Sequence, residues 1–214
     1  MDVKMGYGPF KAACDELKFL LDRGFRKDSA LRFIGDHHQL DTLGRNRLLR
    51  TVYSEEDVRD TKSKLRPVAW LKGKKLAVDG FNVLITAEAV LSGGEYFLSD
   101  DGLSRDNAMA FSNYRVGHVT RKAADAVLEV LASNRPSHAS WVFDSQISGS
   151  GKLAAYVLGR MEAADMPGDS AAYRAADHQI LKLGRATATS DSVLVRKLRA
   201  VVDLPAALES TFRG

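Results

Sequence analysis

The sequence predicts an α/β protein in which a parallel sheet layered by helices is preceded by a small all-helical domain. Three observations carry this expectation. Residues 9–66 hold apolar positions at helical spacing, punctuated by cap residues, with no convincing strand. From Lys74 onward, short β-rich runs alternate with helical stretches, the pattern of parallel strands joined by helical crossovers. Pro67 separates the two textures, so the chain divides into a helical domain over residues 1–67 and an α/β domain over residues 68–214.

Taken in order, Pro9 suits a first helical turn, and Phe10, Ala13, Cys14, Leu17, Leu20 and Leu21 recur at helical spacing until Gly24. Asp28 or Ser29 can cap a second helix carrying Ala30, Leu31, Phe33 and Ile34. Asp41 or Thr42 can cap a third, with Leu43, Leu48, Leu49, Val52 and Tyr53. Ser54 and Asp57 have capping-box spacing at the start of a fourth. In the α/β part, strands are expected over residues 76–79, 140–144, 185–189 and 200–204. One long helix or two should occupy residues 106–135, where Val119, Ala123, Val127 and Leu131 fall at core spacing, with others over 151–164, 175–183 and 191–199. Residues 91–105 read as an insertion, with a hairpin as one form for it.

Composition narrows the function classes. Hydrophobic residues make up 45% and charged residues 27%, which argues against both a disordered chain and a membrane protein. The lone Cys14 excludes an internal disulfide and a thiolate metal cage, fits a reducing compartment, and on the apolar stripe of its helix reads as core. Residues 1–10 lack the basic start and apolar run of a signal peptide, and no apolar stretch approaches the roughly 20 residues of a membrane span. A cytoplasmic location is expected. The net charge of +4 is unevenly distributed: residues 1–75 carry 17 Lys+Arg against 11 Asp+Glu, and residues 76–214 carry 14 against 16. Lys62, Lys64, Arg66, Lys72, Lys74 and Lys75 form a run without an acid that suits a phosphate backbone, or equally a solvated helix end and linker. A nucleic-acid partner is the expectation, and a homodimer is compatible with it.

Aspartates end the expected strands: Leu76-Ala77-Val78-Asp79, Trp141-Val142-Phe143-Asp144 and Thr187-Ala188-Thr189-Ser190-Asp191. In an open parallel sheet the strand C-termini share one edge, and ligands bind in the crevice above it at the topological switch point. Asp177, near the start of the helix leading into the third of these segments, faces the same edge. Crowded carboxylates repel unless a cation sits among them. An oxygen-rich set without cysteine favours Mg²⁺ or Mn²⁺, and phosphodiester hydrolysis is chemistry such an ion supports. Taken singly, each aspartate reads as a cap or strand-end turn residue. Asp165, Asp169 and Asp203 have no comparable context and are read as surface residues, and Asp101 in the insertion is a reserve ligand.

Val78-Asp79-Gly80-Phe81-Asn82 resembles the first-strand motif of the PIN-like nuclease superfamily, especially its NYN branch. Ala176-Asp177-His178-Gln179-Ile180 resembles that branch's Ala-Asp-Asp-x-Ile helix start, and Thr189-Ser190-Asp191-Ser192 its Thr-Ser-Asp turn. With Arg32-Phe33-Ile34-Gly35-Asp36 and residues 45–53, the whole chain resembles a mainly archaeal family that joins a helical domain of unknown function to a PIN-like α/β/α domain. The resemblance implies a metal-dependent endonuclease, usually acting on RNA, with Asp79, Asp144, Asp177 and Asp191 around one or two metal ions. It also implies supporting roles for Asn82 and Ser190. Asn82 can fix the turn, bind a phosphate oxygen or cap a helix. His178 departs from the pattern, standing where the branch commonly has a second acid, which lowers the negative charge of the site. A PIN-like protein that binds nucleic acid without cleaving it is the alternative.

Other motifs add less. Ser148-Gly149-Ser150-Gly151-Lys152 fails the P-loop consensus at Gln146 and Leu153, although a helix start with Lys152 can still receive a phosphate. Lys152 and Arg105 are the candidate basic contacts to substrate. His37 and His38 lie beside Asp36 with too few neighbouring ligands for a metal, so a surface or capping role is expected. Arg45, Arg47 and Arg50 allow a helix-turn-helix-like reading of the third helix, or form a bundle's polar face. No Gly-x-Ser-x-Gly elbow is present, which argues against serine hydrolase chemistry.

Overall fold

In the computed structural model, which describes residues 9–107 and 114–212, the first segment folds as α1 (Pro9–Leu21), α2 (Lys27–His37), α3 (Thr42–Thr51) and α4 (Glu55–Lys64). Local chemistry sets their starts. The Asp41 side chain accepts from Gly44 N and the Ser54 hydroxyl from Asp57 N, each satisfying an otherwise orphaned first-turn donor. At α2 the N-cap position is Arg26, without a side-chain cap; the expected cap Asp28 lies instead in the first turn, where its charge still suits the helix dipole. Ala13, Leu17, Ala30, Ile34, Leu48 and Val52 form the bundle's core, with Cys14 packed half-buried against it. Burial pushes the Cys14 thiol up to about 11, so it stays protonated and unreactive.

The remainder runs β1 (Leu65–Arg66), β2 (Lys75–Asp79), α5 (Gly80–Ser92), β3 (Tyr96–Leu98), β4 (Ser104–Asp106), α6 (His118–Asn134), β5 (His138–Asp144), α7 (Ser150–Ala163), β6 (Gly168–Tyr173), α8 (Ala176–Leu183), β7 (Ala186–Ala188), α9 (Ser192–Lys197), β8 (Val201–Val202) and α10 (Leu204–Phe212). Six strands form one sheet in the order β1-β8-β7-β2-β5-β6, all neighbours parallel. Strand alternation sends Leu76, Val78, Trp141 and Phe143 into a core shared with α5, α6, α7 and α10. Val142 and Val201 go to the other face, under Ile180 of α8 and Leu194 and Val195 of α9. The result is the expected α/β/α layering.

Several elements differ from expectation. β6 was not foreseen; it is an added parallel edge beside β5, and its first residue must be small because a Cβ at Gly168 would lie 2.1 Å from the Ala139 carbonyl oxygen. α5 and α10 were likewise unforeseen. The helix expected over 106–135 begins only at His118, since Asp106 is held in the β3–β4 hairpin opposite Tyr96; residues 108–113 lie outside the described residues. β1 precedes Pro67, so the helical segment contributes an edge strand to the sheet.

The two parts are also tied by charge. Arg47 pairs with Glu95 at 3.1 Å and Arg50 with Asp106 at 3.2 Å, both across to the hairpin, while Arg45 pairs with Asp36 at 2.8 Å. Arg45, Arg47 and Arg50 of α3 are therefore each paired with an acid of the same chain, as on a bundle's polar face. Lys64, from the basic run, donates to Asp60 and to the carbonyls of Val195 and Arg196. No helix among the described residues is long and apolar enough to cross a membrane.

Candidate active site

The chain leaves β2 toward β5 and β6, then crosses back to β7 and β8 on the other side of β2. The switch point therefore lies at the C-terminal ends of β2 and β7, where Asp79 and the Thr189-Ser190-Asp191 turn stand. A Cβ at Gly80 would lie 2.3 Å from the Phe143 ring, so glycine lets α5 start directly after Asp79 against β5.

Asp79 stands at the N-cap position of α5, and Thr189 Oγ1 donates to its Oδ2 at 2.8 Å. Burial pushes its carboxyl up to about 7; the Thr189 hydroxyl and the Asn82 N–H oppose the shift, and the charges of Asp191 and Asp177 add to it. Asp177, exposed in the first turn of α8, is also raised, by desolvation and then by Asp191 and Asp144, with Lys197 opposing. Asp191 caps α9 through one oxygen, Oδ1, which accepts from Val193 N and Leu194 N at 2.8 and 2.9 Å. Asp144, at the end of β5, accepts from Gln146 N at 2.8 Å. The four expected carboxylates are thus electrostatically coupled along one rim. They form an open row: the group of three whose ligand atoms all lie within 4.8 Å of one another, among the described residues, is Glu16, His37 and His38.

An open row fits Mg²⁺ or Mn²⁺ better than a closed cage would. Mg²⁺ keeps several waters and is held through one or two carboxylates, so it does not require all four aspartates at one point.

The expected supporting residues have different surroundings. Asn82 is buried; its Oδ1 accepts from Ser190 N at 2.7 Å, Ser190 Oγ at 3.1 Å and Thr189 Oγ1 at 3.4 Å. It fixes the turn, and Ser190 is the residue it fixes. Arg105, expected at the substrate, is instead 2% exposed. It forms a two-pronged pair with Asp101 at 2.7 and 2.8 Å and donates through Nε and Nη2 to the Ser190 carbonyl. Its guanidinium lies 4.7 Å from the Tyr53 ring centroid, so it braces the turn from behind and links it to the helical part. Asp101 is consumed by that pair and does not reach the rim. Lys152 does face open space, in a cleft of about 1150 Å³ lined also by Tyr114, Arg115, Arg121, Gln146 and Asp144. Asp144 is the rim carboxylate that lines this cleft.

Four residues given no site role from the sequence belong to the neighbourhood. Thr189 orients Asp79. Arg115 and Arg121 supply cleft charge, but isolated arginines carry no local signal. Asp203, read as surface, accepts from Ser104 N at 2.7 Å and Ala206 N at 3.0 Å, and burial raises its pKa. The signal was present in Asp203-Leu204-Pro205, an aspartate cap followed by proline in the first turn.

Fold and site define a class: an α/β protein with an acidic rim at its switch point, braced by an N-terminal helical unit. The chain belongs to the family described as a domain of unknown function, DUF5616, matched over residues 68–207, and residues 9–64 match a protein of unknown function, DUF434. It is 35% identical over 194 residues to the uncharacterized protein MJ0935 of Methanocaldococcus jannaschii, covering 90% of this chain and 92% of that one. No solved structure matches it. The pairing of a helical domain of unknown function with an α/β domain, and the archaeal relative, are as the sequence led us to expect. The PIN-like likeness rests on the motifs at residues 79–82, 176–180 and 189–192.

Proposed function

We propose that the protein is a metal-dependent phosphodiesterase acting on RNA as an endonuclease. The observation that carries this reading is the coupling of Asp79, Asp177, Asp191 and Asp144 at the switch-point rim, with Asp79 raised to about 7. Burial leads that shift and the charges of Asp191 and Asp177 add to it, and a divalent cation at the rim would favour the ionised carboxylate against both. Asp79 and Asp191 would hold Mg²⁺ or Mn²⁺, flanked by Asp177 and Asp144. When bound, the ion supplies charge neutralisation at the phosphate and activation of water. Thr189 keeps the Asp79 carboxylate in one orientation, and the Asn82–Ser190 latch holds Asp191 in register. Lys152, Arg115 and Arg121 draw the phosphate backbone into the cleft beside Asp144. Hydrolysis adds water across a P–O bond, leaving one phosphate end and one hydroxyl end.

The open spacing of the rim favours one second reading, a protein that binds RNA there without cleaving it. Labelled single-stranded and hairpin RNAs, incubated with the full chain and with Asp79→Asn in Mg²⁺ or Mn²⁺, test both. The nuclease reading expects products from the wild type alone. Salt-sensitive binding without products selects the second reading, and equal cleavage by both proteins rules out this site.

A further inference from the structure

We infer that Glu16, His37 and His38 form a separate site for a Zn²⁺-class cation, one that clamps α1 to the end of α2. The three residues each offer a ligand atom, and these atoms lie within 4.8 Å of one another. His38 Nε2 is 2.8 Å from Glu16 Oε2, although 22 positions separate them.

Neighbouring residues within a helix point in different directions, so two adjacent histidines rarely meet one partner. Here the helix ends between them. His37 is the last residue of α2, His38 occupies the C-cap at φ −87° and ψ 5°, and Gln39 follows at φ 50°, in the left-handed region. The rings sit edge to face with centroids 4.9 Å apart, and α1 brings Glu16 to them. His38 is only 12% exposed at its side chain and Glu16 46%, so the site opens to solvent on one side. Asp36 is held by Arg45 at 2.8 Å, which leaves two imidazoles and one carboxylate as the donor set.

That set selects the ion. Mg²⁺ and Ca²⁺ prefer oxygen ligands, whereas imidazole suits Zn²⁺, Co²⁺ and Ni²⁺. Two histidines and a glutamate, with remaining positions filled by water, match three-ligand zinc chemistry. Such a site is distinct in ligands, metal class and location from the acidic rim, and it stands whether or not the rim cleaves RNA.

The full chain, freed of metal, would be titrated with Co²⁺ and followed by its visible absorption, with Zn²⁺ competition and thermal melting alongside. One equivalent of Co²⁺ with nitrogen-ligand bands, displaced by Zn²⁺, is expected, together with a melting temperature that rises with Zn²⁺. His37→Ala leaves the Glu16–His38 contact in place, so it removes a ligand without breaking the helix packing. It should weaken binding by more than the ~10–100-fold that losing an outer-shell partner costs. Asp79→Asn should keep the nitrogen-ligand bands, because the rim offers Co²⁺ only oxygen ligands. Absence of a stoichiometric Co²⁺ complex, or binding unchanged in both His37→Ala and Glu16→Gln, would show the cluster to be an ordinary histidine–glutamate pair and overturn the inference.

Discussion

Replacing Asp79 by asparagine should remove a pH dependence of stability that the wild type carries across the acidic-to-neutral range. The Asp79 carboxyl rises from its ordinary 3.8 to about 7, chiefly through burial. Between those values the folded chain holds one proton more than the unfolded chain, so stability falls as pH increases. The contribution is complete below the unfolded value and is lost as pH rises through about 7. A displacement of about three pH units, at about 1.36 kcal/mol each, amounts to ~4 kcal/mol in full. Between about pH 5 and about pH 8 roughly two of those units are sampled, so the wild type should lose ~2–3 kcal/mol relative to the variant. Residual contact of the half-buried side chain with water pulls this toward the lower figure. Asparagine keeps the shape and can still accept from Thr189, so the comparison isolates charge. Urea unfolding of both proteins at the two pH values, in chelator, gives the double difference in which titrating groups that do not interact with Asp79 cancel. Mn²⁺ added at the higher pH should restore more stability to the wild type than to the variant. Parallel pH profiles would mean that Asp79 ionises normally, and the argument for a cation at the rim would lose its electrostatic basis.

Two further substitutions probe the brace behind the rim. Arg105→Ala strands the buried Asp101 charge and frees the Ser190 carbonyl; a loss of ~3–5 kcal/mol in urea unfolding is expected, and a change below about 1 kcal/mol would show the pair to be dispensable. Asn82→Ala leaves the buried Ser190 N–H without its acceptor, at a cost of ~1–3 kcal/mol. Faster amide exchange at Ser190 and Asp191 should accompany that loss, and unchanged exchange there would argue that the turn holds itself.

The parts of this protein that were legible in its sequence are those whose position is fixed by local chemistry. β2 and β5 are apolar runs closed by aspartate, and parallel pairing then obliges both carboxylates to the same edge. Asp41 and Ser54 cap their helices because a side-chain oxygen two or three residues before an orphaned N–H has few better partners. What stayed hidden is set by tertiary context. β6 reads Gly-Asp-Ser-Ala-Ala-Tyr, poor strand formers up to its final tyrosine, and is extended because β5 offers it a ladder. α5 is buried on nearly every face from Gly80 to Ala87, so it carries no amphipathic period to detect.

Charge pairing was least visible of all. Arg105 looked like a substrate contact and became a brace because the hairpin folds Asp101 back onto it. Glu16 met two histidines only because α1 packs on α2. A sequence names the charged groups, but which of them neutralise each other is decided by packing. The carboxylates of the rim escape that uncertainty for a topological reason. They stand where the strands end, where Asp191 and Asp177 add to the raised pKa of Asp79, and Asp191 and Asp144 to that of Asp177 against the charge of Lys197. A site left short of positive charge by its own fold is one that an external cation can complete.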